Sequence, residues 1–144
     1  MTIIQRSALL RFPASMMFDL VEDIEAYPEF LPWCESSRVL VRREGLVEAR
    51  LDIARSGIRK SFTTRNTFSD KTSMRMSLIE GPFKRLEGNW TFQPLRADAS
   101  KIALDLDFEI AGTLANLTFG TVFSQICNTL VNAFSQRAKD LYQS

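Results

Sequence analysis

From Ile110 to Gln136 the chain carries no charged residue. A segment that long without charge must either cross a membrane or cover a large apolar surface. Three Asn, two Gln and several Thr and Ser fall within it, whereas a spanning helix needs about 20 predominantly apolar residues. A long amphipathic helix is therefore expected. Val122, Ile126, Leu130, Phe134, Ala138 and Leu141 recur at helical spacing, with Phe119, Phe123, Cys127 and Val131 as a second stripe beside them. The opposite face is built from amides and hydroxyls. Such a helix closes a core, or caps a cavity for an apolar ligand.

Something must lie under that helix, and the preceding residues supply it. Val47, Ala49, Leu51 and Ile53 alternate with Glu48, Arg50 and Asp52; Met74, Met76 and Leu78 alternate with Ser73, Arg75 and Ser77. Leu86, Gly88, Trp90 and Phe92 alternate with Glu87, Asn89, Thr91 and Gln93, and Ile102 to Ile110 alternates with Ala103, Asp105, Asp107 and Glu109. Period-two alternation joined by short links predicts an antiparallel meander with one wet and one dry face. Before it come an extended segment (Ile4, Ala8, Leu10, Phe12) and a helix opened by Pro13 and Ser15, with Met16, Met17, Leu20, Val21 and Ile24 as its apolar side. The expected class is α+β: a strand, a short helix, about six further strands, then the long helix, with a curved sheet of about seven strands gripping it. A length of 144 residues without repeats or linkers predicts one domain, 1–144.

Composition narrows the chemistry. There is no histidine, which excludes Ser-His, Cys-His and histidine-metal sites. Cys34 and Cys127 lack a C-x-x-C pattern and are expected as reduced thiols in a cytosolic protein. Asp105, Asp107 and Glu109 fall on the wet side of a strand. No catalytic residue and no metal ligand is assigned, and a non-enzymatic role is expected. The N-terminus lacks a signal-like apolar stretch, so a cytoplasmic location is expected, with peripheral attachment at the inner membrane face as a variant.

Charge is uneven. Residues 38–85 hold twelve basic and five acidic groups, although the whole chain is only +1. Arg42, Arg43, Arg50, Arg59 and Arg65 are candidate phosphate contacts; the alternative is that they are the wet face of ordinary strands. Tyr27-Pro28-Glu29-Phe30-Leu31-Pro32-Trp33-Cys34 concentrates bulky apolar groups where two prolines stop a regular helix. It reads as a plug, or as a portal that touches a membrane through Phe30 and Trp33. Glu80 to Leu86 presents Phe83 beside Lys84 and Arg85, a combination suited to an anionic surface. Thr64 and Asn66 share a face with Phe62; as polar groups on a dry face they need a ligand head group or each other.

YPEFLPWC, KSFTTRN and EGPFKRLEGNWTFQPL also carry a resemblance. They resemble the coenzyme Q-binding and ribosome-association-toxin family, within the START-like polyketide cyclase and lipid-transport superfamily. The resemblance spans about Ile4 to Tyr142 and implies a helix-grip fold. It implies one of three roles: binding ubiquinone or a related polyprenyl lipid in support of respiration, blocking ribosomal subunit association as a toxin on the large subunit, or cyclase-like catalysis. Trp33 stands where toxin members often carry Gly and quinone-binding members often keep Trp. The quinone reading is placed first. No cofactor is required beyond that lipid, whose expected lining is Phe62, Met74, Met76, Trp90, Phe92, Leu106, Phe108, Phe119, Phe123 and Ile126, in a pocket of several hundred Å³ open at one end.

Overall fold

The computed structural model describes residues 2–112 and 114–143. Seven strands form one antiparallel sheet: β1 (Thr2–Leu10), β2 (Cys34–Arg43), β3 (Leu46–Arg55), β4 (Ile58–Thr67), β5 (Ser73–Glu80), β6 (Phe83–Arg96) and β7 (Ala99–Ile110). Their spatial order is β1-β7-β6-β5-β4-β3-β2. Helix α1 (Ala14–Glu22) and a 3-10 helix (Ile24–Glu29) connect β1 to β2, and α2 (Leu114–Tyr142) follows β7. The expected class and element order hold. Among the described residues no helix is long and apolar enough to cross a membrane.

Each element follows from a local cause. Pro13 supplies the extended entry to α1, and its carbonyl accepts from the Met16 and Met17 amides at 3.1 and 3.2 Å. The β3–β4 turn places Ser56 at φ 54 and Gly57 at φ 78, both positive, as a two-residue hairpin requires. Register shifts between Cys34 and Ser36 and between Val39 and Val41 put irregularities into edge strand β2, a device that bends and twists a strand. The alternating sets share faces as read: Val47, Ala49, Ile53, Met74, Leu86, Trp90, Phe92 and the even residues of β7 through Phe108 are buried.

The concave face of the sheet meets α2. Phe119, Val122, Phe123, Ile126, Cys127, Val131, Phe134 and Ala138 are buried, whereas Leu141, placed in the apolar stripe by its spacing, is 49% exposed. Eleven Phe are used as interlocking rings. Phe83 lies 5.7, 6.1, 5.6 and 5.0 Å from Phe62, Phe108, Phe119 and Phe123, in edge-on contacts.

The convex face is a lattice of charge pairs. Arg65 bonds Glu48 at 2.7 Å and Arg85 bonds Asp107 at 2.7 Å. Asp52 accepts from the hydroxyls of Ser36 and Ser61 and from Arg50 Nε at 3.0 Å. The two serines, first of all, lower its pKa to about 2. Because the folded value lies below the unfolded one of about 3.9, this stabilisation is full above about pH 4 and is lost as pH falls toward 2. The loss of stability in Asp52→Asn, measured by urea melts, is therefore expected to be greatest at neutral pH and to shrink toward nothing near pH 2.

An apolar cavity under the terminal helix

Between the sheet and α2 lies a cavity of about 70 Å³. Its sheet side is Ala49 and Leu51 of β3, Phe62, Thr64 and Asn66 of β4, Met76 of β5, Leu86 and Trp90 of β6 and Leu106 of β7. Helix α2 contributes Phe123, Ile126, Cys127, Leu130 and Phe134, and the connection after α1 closes it with Ile24, Tyr27 and Trp33. On the scale where one water occupies roughly 10–15 Å³, the space is several waters deep. That is well short of the several hundred Å³ expected from the sequence, since the aromatic rings have closed over most of the interior. A ligand larger than a single ring would have to displace some of these walls.

Six of the ten expected lining residues are on the wall: Phe62, Met76, Trp90, Leu106, Phe123 and Ile126. The other four, Met74, Phe92, Phe108 and Phe119, are packed solid, each no more than 1% exposed. They belong to the same dry face but lie away from the gap left between helix and sheet.

Two residues expected at a membrane-facing portal are elsewhere. Trp33 is 5% and Phe83 6% exposed. Phe83 is the first residue of β6, opposite Ile110, with its ring inside the aromatic cluster. Trp33 is a cavity wall, held because the Trp33 carbonyl accepts from the Ala54 amide at 2.9 Å. Phe30 is half-buried and packs on Tyr27 and Phe134 at 6.1 and 5.4 Å, with Arg137 over its ring at 4.8 Å. Lys84 is exposed, but Arg85 is engaged with Asp107. The Phe30, Trp33, Phe83, Lys84 and Arg85 group therefore presents no aromatic wedge to a bilayer. Trp33 and Phe83 are interior packing, and Phe30 is half-buried beneath Arg137.

The five candidate phosphate contacts are also mostly occupied. Arg42 pairs with Glu22, Arg50 with Asp52, Arg59 with Glu35 at 3.2 Å and Arg65 with Glu48. Arg43 is exposed beside Glu44 at the β2–β3 turn.

The cavity has one polar spot. Thr64 and Asn66, 8% and 5% exposed, meet each other: the Thr64 hydroxyl donates to Asn66 Oδ1 at 3.1 Å. This gives each of the two buried side chains a partner, and both residues line the space. Tyr27 spends its hydroxyl on the Val21 carbonyl. Burial, then the nearby Cys34 and Asp23, raises Tyr27 far above its ordinary value, and burial alone does the same to Cys127. Burial, then Asp52, moves the Cys34 thiol up to about 11. No carboxylate, Lys or Arg is among the lining residues. Nothing on the wall changes protonation near neutral pH, so the arrangement suits binding far better than proton transfer.

Gly88 controls the volume. A Cβ there would lie 2.5 Å from Leu106 Cδ2 and 2.7 Å from Met76 Cε, two wall atoms. Gly88→Ala is expected to fold and to push both side chains into the cavity, lowering uptake of a small apolar probe severalfold in a fluorescence titration. Unchanged uptake would show that the probe binds elsewhere.

Comparison with known proteins agrees with this architecture. The family model described as polyketide cyclase / dehydrase and lipid transport matches residues 10–135. The ribosome association toxin RatA of Pseudomonas aeruginosa is 51% identical over 141 residues, covering 98% of both chains. The mitochondrial coenzyme Q-binding protein COQ10 homolog B of Xenopus laevis is 26% identical, covering 94% of this chain and 57% of its own. Among solved structures, the Zhui aromatase/cyclase from Streptomyces superposes with a TM-score of 0.83 at 20% identity, over 96% of this chain and 93% of that one. That likeness shows the helix-grip fold alone. A family match running through most of the chain, on a sheet that grips its last helix, makes this protein a member of the polyketide cyclase/dehydrase and lipid-transport family, on the side of it that holds the ribosome association toxins.

Proposed function

We propose that this chain associates with the ribosome, through the large subunit, and so hinders subunit joining. The observation that carries the reading is 51% identity along 98% of a relative named for ribosome association. That breadth outweighs the single Trp33 position, which leans toward quinone binding. It also outweighs a coenzyme Q-binding relative at 26% identity whose length is only 57% covered. The order of the two readings is thus the reverse of the one drawn from the sequence. A cytoplasmic location goes with this reading. Purified large subunits sedimented with the protein should carry it into the pellet, and less so as salt rises. Protein that stays in the supernatant at every salt concentration would end the proposal.

A second reading is favoured by the cavity itself: the protein binds a neutral apolar molecule, ubiquinone or another polyprenyl lipid, without transforming it. An apolar wall with a single amide-hydroxyl pair suits a molecule with a long apolar body and a few hydrogen-bond acceptors. Burying about 400 Å² of isoprenoid at roughly 25 cal/mol/Å² is worth on the order of 10 kcal/mol before ordering costs. Part of that would be spent on widening the cavity, whose volume is only about 70 Å³. Mass spectrometry of lipids extracted from gently purified protein should find one such lipid near equimolar amounts. Extracts without any would reject the reading.

A further inference from the structure

The hairpin that joins β3 to β4 carries Arg55, Arg59 and Lys60 within six residues, and no acidic residue interrupts them. Arg55, Ser56, Gly57 and Arg59 are exposed, and a Cβ on Gly57 would meet nothing within 4 Å, so the tip stands in open solvent. Cross-strand register sets Arg55 opposite Ile58, Ala54 opposite Arg59 and Ile53 opposite Lys60. Arg55 and Lys60 therefore project from one face of the hairpin and Arg59 from the other, so that positive charge surrounds the tip.

The charge is available. Among the described residues neither Arg55 nor Lys60 has a carboxylate within ion-pair distance. Arg59 reaches Glu35 at 3.2 Å, but the two side chains are 76% and 46% exposed. Such a pair contributes little and is easily exchanged for another anion. On the convex face the situation differs. Arg65 and Arg50 face Glu48 and Asp52, carboxylates only 19% and 29% exposed, and an arriving phosphate there would meet fixed negative charge.

The tip is also held in one shape. Its two-residue turn is closed by paired strands, Ile58 packs against the core, and the Ala54 amide is bonded to the Trp33 carbonyl. A pre-shaped contact loses little freedom on binding. The hairpin has no exposed aromatic or large apolar residue, which a bilayer contact would need.

We infer that the β3–β4 hairpin tip is the element that meets ribosomal RNA, with Arg55, Arg59 and Lys60 contacting backbone phosphates. This rests on the ribosome reading above, and moves the contact away from the sheet arginines toward the end of the molecule.

The test is binding to purified large ribosomal subunits across a series of potassium chloride concentrations at constant magnesium. Replacing Arg55, Arg59 and Lys60 together by Gln is expected to weaken binding about tenfold or more at roughly 0.1 M salt. The slope of log affinity against log salt should become shallower by about two to three, close to one per lost contact. Arg55→Gln alone should take away about one. Arg50→Gln with Arg65→Gln should change affinity less than about twofold, because those charges are already matched. The hairpin triple variant retaining wild-type affinity and slope would overturn the inference while leaving the ribosome reading intact. A larger loss in the Arg50/Arg65 variant would overturn it too. If the triple variant instead lost binding only to phosphatidylglycerol vesicles, the tip would be a membrane contact and the inference would fall. Wild-type protein that never binds large subunits would remove both the inference and the reading beneath it.

Discussion

Phe123→Asp is expected to be unfolded at room temperature, with the far-ultraviolet spectrum of a largely disordered chain. Phe123 is 4% exposed and its ring centre lies 5.7, 5.0, 4.9 and 5.6 Å from those of Phe62, Phe83, Phe108 and Phe119. Losing a buried aromatic ring alone costs about 3–5 kcal/mol. A carboxyl group in that cluster finds no partner, and leaving it unsatisfied costs about 1–3 kcal/mol more even when protonated. Together these approach the whole stability of an ordinary domain, about 5–15 kcal/mol. Phe123→Leu keeps most of the volume and should stay folded, with a loss of about 1.5 kcal/mol or less. An Asp variant that melts within a few degrees of wild type would mean that α2 is not packed on the sheet at this point.

Phe134→Ala should fold but melt lower. Phe134 is 1% exposed and sits edge-on to Tyr27, Phe30 and Trp90, each at 5.4 Å. It is a wall of the cavity and the residue on which the 3-10 connection rests. The expected loss is about 3–5 kcal/mol, or roughly 6–20 °C in a thermal melt. The vacated volume adds to the existing gap, so benzene or xenon should raise the variant's melting temperature more than that of wild type. A loss below about 1 kcal/mol, with no gain in probe binding, would show that Tyr27 and Phe30 collapse into the space. The Arg137 contacts to Glu29 at 3.3 Å and to the Phe30 ring oppose such a collapse by holding the connection to α2.

The two predictions differ in what could be foreseen. That Phe123 and Phe134 face the sheet is plain from the helical spacing of the uncharged run. That Phe123 meets the rings of Phe62, Phe83, Phe108 and Phe119 while Phe134 meets Tyr27, Phe30 and Trp90, both on the cavity wall, is not, because both have the same apolar character and the same period.

What the sequence determined by itself is everything local. Alternation in β3, β5, β6 and β7 marked those strands and their dry sides, the stripe from Phe119 to Ala138 marked the helix face, and Pro13 and Ser15 marked where the first helix begins. Strand β2 was not legible in the same way. Cys34–Arg43 is mostly exposed along an edge and bent by two register shifts, so its side chains do not alternate cleanly. What only the tertiary structure decided depends on which residues meet across the chain. Thr64 and Asn66 find each other along one strand, as their spacing allowed. Glu48 neutralises Arg65 because the β3–β4 register sets them opposite one another, whereas no residue of that register answers Arg55 or Lys60. Met74 and Met76 share one face of β5, yet only Met76 borders the cavity. Its neighbour across the strands is Gly88, where a missing side chain leaves room. Trp33 and Phe83 look like exposed loop aromatics until the folded chain brings Ala54 and the Phe cluster against them. Periodicity is a property of neighbouring residues. A cavity and an unpaired charge are properties of distant ones.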